Sequence, residues 1–255
     1  MGFQNIILNK DEGMARLVLN RPPLNIIDFE TLMEINTALE ELKADEATRV
    51  LVITGSGSKA FSAGVEVRDH LGEMMPRMMA EFGRLFRLLR EVGKPSIAAV
   101  NGVALGGGCE LVAGCDIVIA SEKAQFGQPE IKLGVYPPAA PTLFSKIVGE
   151  KKAFELILLG ENIDATEAAR IGLVNKVVPQ EELEKTTLEF AHRFLEKSGL
   201  ILMMARDAFY STTNAEFERS LASGTELGCE ILAKEDAIEG LTAYLEKRKP
   251  IWRNK

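Results

Sequence analysis

Residues 97–135 read IAAVNGVALGGGCELVAGCDIVIASEKAQFGQPEIKLGV, and the three consecutive glycines at 106–108 decide how the stretch folds. Glycine runs weaken a helix or a strand from inside, so they mark a junction. Before them, PSIAAVNG (95–102) is a short apolar run that predicts a buried strand. After them, CELVAGC (109–115) predicts a short helix, and DIVIAS (116–121) a further strand. Glu110 follows the glycines directly. A helix start carries unpaired N–H donors and the positive end of the helix dipole, and residues without side chains let a ligand approach them. Bare amides beside a carboxylate suit a reaction in which an oxygen becomes negative while a proton moves. Tight packing of helix against strand explains the same glycines equally well.

A second Gly-bearing loop has the same place in the chain. RVLVITG (49–55) predicts a buried strand, and GSGSKAFSAG (55–64) a loop after it. Amides from two such loops can converge on one oxygen. Gly55, Gly57 and Ala60 also imitate a dinucleotide-binding fingerprint, but that motif must open a helix, and here the loop continues through FSAG. A second acid, Glu130, lies in FGQPEIKLGV (126–135). Pro129 fixes the backbone before it and leaves little for a helix to grow on. On the residues alone, a solvated loop tip is the simpler reading of Glu130.

Outward from this block, the first 20 residues predict two strands around the turn KDEG (10–13). Phe29, Leu32, Met33, Leu39 and Leu42 fall at helical spacing, with Asp28 as N-cap. MPRMMAEFGRLFRLLREVG (75–93) predicts a helix with Pro76 in its first turn and Gly93 past its end. Residues 142–179 predict helices around a turn, then a strand; beyond residue 181 the pattern is helical. Strands alternating with helices indicate an α/β fold of ββα units. No internal repeat is visible.

Composition excludes several classes. A net charge of −7 argues against a nucleic-acid surface. No apolar run has the length of a membrane span, and the N-terminus lacks a signal pattern. Three cysteines, Cys109, Cys115 and Cys229, suit a reducing compartment, so the expected location is cytoplasmic. His70 and His192 are the only histidines and lack ligand spacing; no metal site is expected.

Four segments together resemble the enoyl-CoA hydratase (crotonase) family: KAFSAGVEV (59–67), the central block 97–135, ATEAARIGLVNKVVP (165–179) and YLEKRK (244–249). The likeness runs from LVLNRPPLNIID (17–28) to the end. It implies a crotonase-type spiral of ββα units over residues 1–190, followed by a helical trimerisation region over 191–255, in a homotrimer or homohexamer. It implies a hydro-lyase acting on an acyl-CoA thioester, with no cofactor, since coenzyme A is part of the substrate. The resemblance assigns Glu110 and Glu130 as the catalytic pair and the amides of Val65 and Gly107 as the oxyanion hole. It assigns Lys59, Glu66, Arg68, Tyr244 and Lys247 to coenzyme A, with Arg68 where many relatives carry lysine. Having both glutamates favours hydration over the other chemistries of the family.

One stretch departs from the pattern. GVYPPAAPTLFSKIVG (134–149) replaces a Gly-rich segment of the straight-chain hydratases, and Tyr136, Pro137 and Pro138 would border the acyl group. With FSAGVEVRDH it looks like the cyclohexa-1,5-diene-1-carbonyl-CoA hydratases of anaerobic aromatic degradation. A simpler reading has the prolines only start a helix, with Thr142 as its cap. The alternatives are a general short-chain enoyl-CoA hydratase, an enoyl-CoA isomerase, and a non-enzymatic RNA-binding homologue.

Overall fold

In the computed structural model, which describes residues 2–255, KDEG is the turn between β1 (Ile6–Asp11) and β2 (Met14–Leu19). Gly13 takes φ +85° there. Asp28 caps α1 (Phe29–Ala44), its Oδ1 accepting from Thr31 N at 2.9 Å, as the sequence predicts.

From β3 (Val50–Gly55) onward the chain repeats one motif. β3 is followed by β4 (Ala60–Ser62) and α2 (Met74–Glu91). β5 (Ser96–Val100) is followed by β6 (Val103–Leu105) and α3 (Gly107–Gly114). β7 (Ile117–Ser121) is followed by β8 (Gln125–Gly127), a 3₁₀ turn over Pro129–Leu133, and α4 (Ala140–Val148). The first strand of each unit joins one sheet and the second joins another. The chain continues through α5 (Glu150–Leu159), β9 (Ile163–Asp164), α6 (Ala165–Arg170) and β10 (Lys176–Val178). The large sheet runs β1-β2-β3-β5-β7-β10 and the small one β4-β6-β8-β9. Beyond the β1–β2 hairpin the large sheet is parallel, and every residue of β3 and β5 is buried, as strands covered on both faces must be. The repeat escapes the eye in the sequence because its units share strand and helix positions rather than residues.

The glycine loop after β3 returns to a strand, not to a helix. Asn101 Nδ2 donates to Gly55 O at 2.9 Å and Gly57 O at 2.8 Å, and Asn25 Nδ2 donates to Ala60 O at 2.8 Å. A Cβ at Gly55 would sit 2.5 Å from the Ala60 carbonyl oxygen. These glycines therefore allow two backbones to close on each other, and the dinucleotide alternative has no helix to stand on.

α7 (Leu183–Leu195) covers the back of the large sheet, burying Leu183 and Ala191 against Val50, Ile97 and Ile119. Residue 190 thus lies inside a helix that belongs with the sheet, and the helices that leave it begin with α8 (Gly199–Ser211). α9 (Asn214–Leu232) and α10 (Glu235–Leu245) complete the chain. α8 is attached by polar groups. Arg206, its one buried residue, gives Nε to Asp116 Oδ2 at 2.9 Å and two further N–H groups to the carbonyls of Leu89 and Arg90. Asp116 also accepts from Ser96 N and Oγ and from the Tyr210 hydroxyl. These partners offset part of the cost of burying a carboxylate and a guanidinium.

Candidate active site

Pairing in the small sheet assembles the site. β6 and β8 lie side by side with Leu105 opposite Gly127, so the residues that follow each strand, Gly106 and Glu130, come together. Gly106 takes φ +53°, a conformation that favours glycine, and its N–H donates to Gly127 O at 2.9 Å. A Cβ on Gly106 would lie 2.7 Å from Glu130 Oε1. At Gly107 it would lie 2.6 Å from Val65 Cγ2 and 3.0 Å from the Phe82 ring. At Gly108 it would lie 2.5 Å from the Ser62 carbonyl oxygen. Each glycine of the run has its own reason: one admits the second carboxylate, one faces the cleft, and one packs helix on strand. The packing reading of the run holds at Gly108, and Gly107 lies at the cleft, where the other reading needs it.

Gly107 is the first residue of α3, so its N–H has no partner within the helix. The Val65 loop is held beside it by Ile27, whose N–H donates to Gly64 O at 2.9 Å and whose carbonyl accepts from Glu66 N at 3.0 Å. A Cβ on Gly64 would be 3.8 Å from Gly107 N. Among the described residues, neither the Val65 nor the Gly107 N–H meets a protein acceptor.

Glu110 is 1% exposed, in the first turn of α3. Its Oε1 accepts from Ala139 N at 2.7 Å and Ala140 N at 2.6 Å. These are the first amides of α4, so the carboxylate of one helix caps the next, at the positive end of its dipole. Thr142 is not the cap: it lies inside α4, and Pro141 stands in the first turn. The structure also corrects the solvated reading of Glu130. Pro129 starts a 3₁₀ turn in place of a loop tip, and Glu130 is half-buried in the wall that holds Glu110. Burial pushes both carboxyls above the ordinary range. The amides of Ala139 and Ala140 pull Glu110 back down, whereas the charge of Glu110 lifts Glu130 further. Of the two, Glu130 is therefore held further toward its protonated form.

Both glutamates line a cleft of about 480 Å³. Val65 and Gly107 form one side of it, and Met78, Met79, Phe82 and Leu241 give an apolar wall. Tyr136 and Pro138 line it too, while Pro137 is buried behind. Of the residues assigned to coenzyme A, Tyr244 reaches the cleft. Lys59, Arg68 and Lys247 are exposed outside its walls, and Glu66 caps the 3₁₀ turn Val67–His70, accepting from Arg68 N at 3.2 Å. Lys132 and His70 line the cleft and carried no sequence signal beyond their residue type. Gln128, fully buried, was also missed: with its amide nitrogen turned to Glu130 it donates at 3.1 and 3.2 Å.

A family model described as enoyl-CoA hydratase/isomerase matches residues 9–255. The chain belongs to the enoyl-CoA hydratase/isomerase family. A crotonyl-CoA hydratase from Syntrophomonas wolfei is 41% identical over 254 residues, covering 98% of each chain. A short-chain-enoyl-CoA hydratase from Clostridium acetobutylicum is 39% identical, covering 98% of this chain and 97% of its own. An enoyl-CoA hydratase structure from Mycobacterium avium subsp. paratuberculosis superposes with a TM-score of 0.91 at 28% identity, over 99% of this chain and all of the other. The two-sheet arrangement with its helical C-terminal part is thus the enoyl-CoA hydratase/isomerase fold, as the resemblance implied.

Proposed function

We propose that this chain is a hydro-lyase that adds water across the 2,3 double bond of a short-chain enoyl-CoA thioester. One observation carries the reading: a buried and a half-buried carboxyl share an apolar cleft with two backbone N–H groups that meet no acceptor among the described residues. The thioester oxygen accepts from Val65 and Gly107, which stabilise the negative charge that builds there during attack. Glu110 takes a proton from water as its oxygen bonds to C3. Glu130 delivers its proton to C2. The two carboxyls then hold the exchanged charge, and proton transfer between them or through solvent restores the starting state. Coenzyme A is part of the substrate, so the scheme needs no resident cofactor. Lys59, Arg68, Tyr244 and Lys247 are the groups proposed for its phosphates and adenine.

This assignment fixes the sign of the pH dependence. Glu110 must be ionised, so kcat/KM falls as pH drops through its raised pKa. Glu130 must be protonated, so kcat/KM also falls as pH rises through the higher pKa. The expected profile is a bell displaced upward from the ordinary glutamate value of about 4.3, with limbs that belong to the pair. An acid limb at the ordinary value would contradict a base raised by burial.

The relatives' names favour a linear acyl group, and the wall at Tyr136 and Pro138 favours a second reading. Rigid tyrosine and proline rings in the lining suit a flat ring better than a flexible chain, which supports cyclohexa-1,5-diene-1-carbonyl-CoA as substrate. Side-by-side turnover of crotonyl-CoA and the cyclic dienoyl ester decides between them. A higher kcat/KM for crotonyl-CoA retires the cyclic reading, and no hydration of either ester retires the hydratase.

α8 supports assembly. Leu200, Ile201, Met204 and Phe209 are 57–73% exposed along a helix anchored by Arg206. Exposed apolar surface of this kind marks an interface. A trimer or hexamer is expected in light scattering, and a stable monomer at micromolar concentration contradicts it.

A further inference from the structure

His70 is in the cleft and takes no part in the scheme above. It ends the 3₁₀ turn Val67–His70, and that turn is held at both ends. Glu66 caps its start, and Asp69 Oδ2 accepts the N–H of Phe29 at 2.7 Å, tying the turn to the head of α1. The ring itself is oriented. Nδ1 lies 2.9 Å from the Glu66 carbonyl oxygen. A carbonyl can only accept, so Nδ1 carries the hydrogen. Burial, the first influence on this ring, disfavours the imidazolium. In the neutral ring with hydrogen on Nδ1, Nε2 holds a lone pair and acts as an acceptor. The ring's other backbone neighbour is Val67, and among the described residues no side chain hydrogen-bonds to Nε2.

The surroundings make this costly unless something answers it. The wall around the cleft is built mainly from Val67, Met78, Met79, Phe82, Leu133 and Leu241. His70 lines this cleft, and an acceptor lining such a cleft loses its water when an acyl chain enters and gains nothing in return. A leucine or methionine would fill the place without that penalty. The polar groups the hydration scheme uses are the two carboxyls and the two amides, and none of them needs a further acceptor.

We infer that His70 is a specificity-determining residue, whose Nε2 accepts a hydrogen bond from a hydroxyl carried on the acyl group of the substrate. The inference rests on the hydratase reading and deepens it: the favoured substrate class is an enoyl-CoA ester with a hydroxyl beyond its double bond. A site built to hydrogen-bond a substrate group discriminates against the analogue without it, because the protein partner is then left unpaired. The pantetheine arm also offers N–H donors, and the experiment separates the two sources.

The test compares crotonyl-CoA with 4-hydroxybut-2-enoyl-CoA, which has the same carbon chain, on the full-length enzyme and on His70→Met and His70→Gln. The readout is the ratio of kcat/KM for the hydroxylated ester over crotonyl-CoA. His70→Met should lower that ratio about tenfold, the scale of one neutral hydrogen bond. His70→Gln, which keeps an acceptor, should restore part of it. Inhibition by free coenzyme A should be the same in all three proteins. An unchanged ratio overturns the inference. So does a parallel loss for both esters and for coenzyme A, which would assign the ring to the pantetheine arm. If the wild-type protein hydrates neither ester, the hydratase reading fails by itself. The ratio of calorimetric Kd values for the two esters then tests His70 in the same way.

Discussion

Glu110→Gln and Glu130→Gln are each expected to lower kcat by roughly 10²–10⁴-fold, the usual contribution of a positioned acid or base. Each glutamine keeps the size of its glutamate and removes its proton chemistry. Glu110→Gln still offers an oxygen to Ala139 N and Ala140 N, so the cap on α4 survives and the fold should hold. Glu130→Gln removes a carboxyl that burial and the charge of Glu110 both disfavour in its ionised form, so its stability should not fall. The double variant should lose less than the product of the two single losses, because both groups act on one addition step. Steady-state turnover with crotonyl-CoA, alongside circular dichroism, measures all three. Near-wild-type kcat in either single variant removes that glutamate from the proposed mechanism. Retention of the alkaline limb of the pH profile in Glu130→Gln would show that another group donates the proton.

The second large effect is expected at Gly107. Gly107→Pro deletes one N–H at the first position of α3, where proline is otherwise well accepted. Losing one oxyanion donor raises the barrier by about 3 kcal/mol, roughly a hundredfold in rate. Crowding complicates the comparison, since any Cβ at 107 approaches Val65 Cγ2 and the Phe82 ring. Gly107→Ala carries that crowding and keeps the N–H. The informative quantity is therefore the difference between the two variants, with proline about a hundredfold slower than alanine. Equal rates in two folded proteins would mean that the Gly107 amide does not hold the thioester oxygen.

Much of the local structure was legible before any coordinates. The Asp28 cap, the KDEG hairpin and the short helix after the glycine run follow from side-chain chemistry within a few residues, where chain entropy is small and the partners are fixed by spacing. The readings that failed were those that needed a distant partner. Thr142 had the chemistry of an N-cap, but Glu110, 29 residues before Ala139, takes the amides it would have used. Glu130 after a proline read as a solvated tip, because nothing near it in the chain could bury it. His70 and Gln128 gave no local sign, as their significance comes only from what surrounds them.

The sequence by itself determined the alternation of strands and helices, the places where backbone must approach backbone, and, through its resemblance, the family and its candidate pair of acids. Only the tertiary structure decided where each of those residues sits and what surrounds it. Parallel pairing of β6 with β8 brings Gly106 beside Glu130, although 24 positions separate them in the chain. The amides of α4 meet Glu110, and its charge then raises Glu130. Protonation preference depends on burial and on the distance between charges, and neither quantity exists until the strands have paired.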